Sequence, residues 1–110
     1  MRTATKFRNV GPDMGEQAGE AAALLKTLAN QNRLMIVCTL ADGEHSVGQL
    51  EETLGIHQPT LSQQLTVLRE AGIVATRRDA KQIFYRLAEE RAARLVIALY
   101  GIFCAEGIKR

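Results

Sequence analysis

Two short amphipathic runs, "VGQLEETLG" and "PTLSQQLTVLREAG", stand with only Ile56, His57 and Gln58 between them. Ser46 can cap the first run and Gly55 can end it, while Pro59 suits the start of the second. The pair therefore predicts helix, short turn, helix. At 100° per residue, Leu61, Leu65 and Leu68 share one stripe of the second helix, and Thr60, Ser62, Gln63 and Thr66 lie opposite. A solvated helix usually carries Glu and Lys on its outer face. Neutral hydroxyls and amides instead suit the edges of bases. A helix that simply faces water fits the same stretch, and Val67 falls on the polar side.

The flanking sequence supplies the remaining elements. Residues 1–13 carry scattered charge and a Gly-Pro, and read as a flexible tail before a single domain at 14–110. From Glu16, the pattern Ala18, Ala21, Ala22, Leu25, Leu28 predicts a helix with a small-residue face. Asn30 can cap a second helix with Leu34, Val37, Cys38 and Ala41 on one side, stopped by Gly43. Beyond Gly72, "IVATRRDAKQIFYRL" predicts a two-stranded hairpin turning at residues 78–81, its tip basic through Arg77, Arg78 and Lys81. A last helix over about 88–107 is apolar almost all round, so its second greasy side asks for a partner chain. The fold class is mainly α with a small β-hairpin.

At 110 residues the core is thin unless a second copy completes it. Fourteen basic against 12 acidic residues leave a net charge of only +2, so nucleic-acid binding must rest on local clustering. The longest apolar run, Leu95 to Ala105 broken by Gly101, is too short for a bilayer. With no apolar leader the expectation is a cytoplasmic protein, whose two cysteines stay reduced. Nothing points to an enzyme: there is no phosphate loop, no paired catalytic carboxylates, and no His beside either Cys. No cofactor or metal is expected, because His45 and His57 are isolated residues beside turns. Cys38 and Cys104 can be small apolar fillers, since neither has an adjacent Lys, Arg or His to activate it.

The stretches "LLKTLANQNRLMIVCTL", "VGQLEETLGIHQPTLSQQLTVLREAGIV" and "TRRDAKQIFYRL" resemble the ArsR/SmtB family of bacterial repressors over residues 16–108. The resemblance implies a homodimeric winged helix-turn-helix, with the "QPTLSQQL" helix in the major groove and the hairpin as the wing. The expected contacts with double-stranded operator DNA, an imperfect inverted repeat, are then Ser46, Gln58, Thr60, Ser62, Gln63, Gln64, Thr66, Arg69, Arg77, Arg78 and Lys81. Within the family, Cys38 in "IVCTL" and Cys104 in "YGIFCAE" are similar to the cysteines of the BigR/SqrR type, which respond to persulfides. That likeness implies a Cys38–Cys104 dithiol switch with inorganic or organic persulfides as inducer. A general thiol-redox sensor and a metal- or metalloid-responsive repressor using the same cysteines remain the alternatives. The metal-sensing relatives carry a Cys-x-Cys in the third helix or His in the last, and "QLEETLG" and "RLVIALYGIFCAEG" have neither.

Overall fold

The computed structural model describes residues 10–105. Five helices and three strands follow in the order α1 (Val10–Leu28), α2 (Gln31–Leu40), β1 (His45–Ser46), α3 (Val47–Leu54), α4 (Thr60–Glu70), β2 (Val74–Asp79), β3 (Gln82–Leu87) and α5 (Glu90–Tyr100). A π-helical turn, Gly101–Ala105, continues α5. Helix α1 starts earlier than expected: residues 10–13, assigned to the tail, are already helical. Pro12 does not prevent this, because first-turn residues need no N–H partner within the helix. Residues 1–9 of the expected tail and 106–107 of the expected last helix lie outside the described residues.

The capping signals act as read. Asn30 accepts from the Arg33 amide at 3.0 Å and opens α2. Ser46 forms a reciprocal capping box with Gln49 at the head of α3. Gly55 closes α3 with φ of 70°, a left-handed conformation that costs Gly little. Pro59 differs from expectation: it precedes α4 as the cap residue, and Thr60 takes the first helical position.

The predicted hairpin is part of a three-stranded antiparallel sheet in the order β1-β3-β2. Its register pairs Val74 with Leu87 and Asp79 with Gln82, so the tight turn is Ala80-Lys81. The third strand, β1, pairs His45 with Tyr85 and Ser46 with Phe84. Below the sheet, Leu50 of α3, Leu61, Leu65 and Leu68 of α4, and Ile73 and Val74 pack with Ala92 and Val96 of α5 into one core. Helix α2 feeds that core through Ile36, Val37 and Leu40, with Leu34 and Cys38 only partly buried and Ala41 exposed. Its inward face is thus rotated from the side expected.

Candidate nucleic-acid interface and thiol pair

The leucine stripe of α4 buries completely or nearly so, and Thr60, Ser62, Gln63 and Thr66 are all exposed on the other side. The Ser62 hydroxyl donates to Gln58 Oε1, and the Thr66 hydroxyl donates to the Ser62 carbonyl at 2.9 Å. Each hydroxyl oxygen keeps acceptor capacity. Gln58 and Arg69 border this face and are exposed, as are Arg78 and Lys81 near the hairpin tip.

Three residues expected at DNA have partners within the chain. Ser46 is buried, at 7 % exposure, with its hydroxyl oxygen holding the Gln49 amide. Gln64 turns inward and its Oε1 accepts from Arg33 Nη1 at 2.9 Å. Arg77 spends its fork on Glu44, Nε to Oε2 and Nη2 to Oε1, both at 2.8 Å, and lies 4.6 Å above the Phe84 ring. That hydrogen-bonded guanidinium holds the Glu44 carboxyl below its ordinary range. Arg33 and Glu44 were missed by the sequence reading. Glu44 had a signal only in retrospect, since it directly precedes the short strand that edges the wing.

Away from the α4 face, Cys38 sits half-buried on α2 and Cys104 lies exposed in the π-helical turn after α5. Burial pushes the Cys38 thiol up, and the negative charges of Cys104 and of Asp42 push it the same way. Beside Cys38, a cavity of about 500 Å³ opens between α2 and α5, lined by Asp42, Val96, Ile97 and Tyr100 among others. Among the described residues, no three His, Cys, Asp or Glu side chains cluster as a metal site requires. The His45 Nδ1–H donates to the Gly43 carbonyl at 2.8 Å, and His57 lies 3.7 Å from Glu51.

A helix-turn-helix with an uncharged outward face, braced by a basic stranded wing, defines a winged-helix DNA-binding regulator. Residues 30–76 match the family described as bacterial regulatory protein, arsR family. The biofilm growth-associated repressor of Agrobacterium fabrum is 71% identical over 94 residues, covering 86% of this chain and 80% of that one. The crystal structure of the transcriptional repressor BigR from Xylella fastidiosa superposes with a TM-score of 0.83 at 67% identity, covering 86% of this chain and 96% of that one. The homodimeric winged helix-turn-helix domain of a possible ArsR-family regulator from Mycobacterium bovis, solved by NMR, gives 0.67 at 32% identity, over 81% and 82% of the two chains. The chain belongs to the ArsR family and is a transcriptional repressor of that type.

Proposed function

We propose that the protein is a homodimeric repressor that holds an imperfect inverted repeat in reduced form and releases it when persulfides bridge Cys38 and Cys104. Thr60, Ser62, Gln63 and Thr66 read base edges, while Gln58, Arg69, Arg78 and Lys81 meet the DNA backbone or the minor groove. The dimer forms through the apolar surface that α5 and its π-helical turn leave open, where Ile97, Tyr100, Ile102 and Phe103 are 53–74 % exposed. Two thiols in a reducing compartment suit the cytoplasm, and no helix of the described residues is long and apolar enough to cross a membrane. The observation that carries the switch is that the two free thiols, Cys38 on α2 and Cys104 in the turn that continues α5, lie on different helical elements, and that α2 and α5 pack against each other.

The chemistry balances without an outside oxidant. The exposed Cys104 thiolate attacks the outer sulfur of RS–SH, forming Cys104–S–SH and expelling RS⁻. After loss of its proton, that persulfide attacks a second RS–SH, giving Cys104–S–S–SH and a second RS⁻. The Cys38 thiolate then attacks the middle sulfur and expels HS⁻, leaving a bridge with one inserted sulfur. An ordinary disulfide needs Cα atoms within about 7 Å, whereas inserted sulfur spans a wider gap. The bridge ties α2 to the dimer element and turns the two reading helices away from the roughly 34 Å spacing of successive major grooves.

Operator titrations beside intact-protein mass spectrometry test this reading. Cys38→Ser and Cys104→Ser should each bind operator like the reduced wild type and stay bound after persulfide. The wild type should gain whole sulfurs without a crosslink between chains, reversibly with a thiol reductant. Equal release by peroxide, with an ordinary disulfide, would make the protein a general thiol-redox sensor. Tight cadmium, zinc or arsenite binding that releases DNA, with indifference to persulfide, would place it among the metal-responsive repressors.

A further inference from the structure

Arg33 touches three helices at once. Its Nε donates to the Thr27 carbonyl in the last turn of α1 at 2.6 Å, and its Nη1 donates to Gln64 Oε1 of α4 at 2.9 Å. Its own amide is fixed in the first turn of α2 by Asn30. The Thr27 carbonyl is among those that a helix end leaves without an intrahelical partner. A guanidinium is planar, so these two donors leave it in a fixed relation. The amide of Gln64 is thereby located against the end of α1 and the start of α2. The buried residues of α4 are Leu61, Leu65 and Leu68. Apolar packing of that kind is non-directional and resists a small rotation of the helix about its axis less than a hydrogen bond does. Gln64 directly follows Gln63, so fixing its direction also fixes that of the outward face.

We infer that Arg33 is a positioning residue for DNA reading, with Gln64 as its anchor: the Arg33–Gln64 hydrogen bond sets the rotation of α4 and hence sequence discrimination, without either side chain touching DNA. This rests on α4 being the reading helix. Affinities for operator and for random DNA are measured across a salt series for the wild type, Arg33→Lys, Gln64→Met, Gln64→Glu and the double variant Arg33→Lys/Gln64→Met. Lys lacks the fork and Met lacks the acceptor. Each should lower the operator-to-random ratio about tenfold, a typical discrimination for one good contact, with the salt slope retained. The double variant should be no worse than either single one, because both remove one bond. Gln64→Glu keeps an acceptor for Arg33 and should stay close to the wild-type ratio, which a mere loss of packing does not predict.

A Gln64→Glu protein that loses operator more completely than Gln64→Met overturns the inference, since the side chain then faces phosphate. So does an undiminished ratio in Gln64→Met, a substitution at a half-buried site that keeps length and helix propensity should Arg33→Lys fail to fold. Gln63→Ala separates the two levels. A drop in its ratio beside an intact Gln64→Met ratio removes only the positioning role. An intact ratio in both removes α4 as the reading helix, and the inference with it.

Discussion

Ala80 holds φ at 58° in the two-residue turn of the wing, a left-handed conformation that costs a side chain with a Cβ about 1–2 kcal/mol. Ala80→Gly should therefore raise stability by about 1 kcal/mol, seen as a gain of roughly 4–8 °C in Tm by calorimetry. A lower Tm would mean that the loss of unfolded-state restriction outweighs the relief. The same scale shows what one-dimensional reading reaches. Asn30, Ser46 and Gly55 were legible because a cap and its partner lie within four positions. Arg33 and Glu44 were not legible as the partners of Gln64 and Arg77, because they are 31 and 33 positions away. A long polar side chain near a presumed DNA face reads alike whether it points out or in.

Among the elements, the head of α5 is closed by charge. Glu89 accepts from the Arg91 amide at 3.0 Å and from its Nε at 2.9 Å, and Arg91 Nη1 reaches Glu20 of α1 at 3.0 Å. The Arg91 guanidinium holds the Glu89 carboxyl down at about 2. A depressed carboxyl contributes above its ordinary value of 4.5 and loses that contribution as pH falls toward 2. Arg91 is solvent-exposed and Glu89 partly so, so the gain is modest. Carboxyl NMR should show Glu89 still ionised at pH 3, and in Arg91→Gln its midpoint should return toward the ordinary value. The wing offers a second test. Arg78→Ala should weaken all DNA and reduce the salt slope by about 1, the signature of one lost phosphate contact. An unaltered slope would leave the wing tip off the DNA. The five helices and the hairpin were legible from periodicity and caps. The strand β1 was not, because two residues cannot display alternation. The early start of α1 was hidden by a Gly-Pro that ordinarily marks a turn.

For the whole molecule, the informative surface is the one that the single chain leaves bare. Phe103 is 74 % exposed and Ile97 61 %, far more than an isolated domain of this size needs to show. Ile97→Glu/Phe103→Glu should sediment as a monomer and lose about a hundredfold in operator affinity, because each half-site is then bound alone. A variant that stays dimeric would move the interface elsewhere. This surface was legible in the sequence as a helix apolar on too many sides.

The difference in exposure between the two thiols carries a consequence for timing. Cys104 is exposed on the single chain and Cys38 is half-buried with its thiol pushed up, so on the proposed chemistry sulfur loads first at a position that by itself leaves the helices untied. A brief pulse of donor then leaves half-loaded protein still on its operator, where ordinary cellular thiols can strip it clean. Only a donor that persists long enough to arrive twice reaches the slow closing step. Release should accordingly rise with about the square of donor concentration at early times, making the repressor a filter for duration as much as a detector of presence.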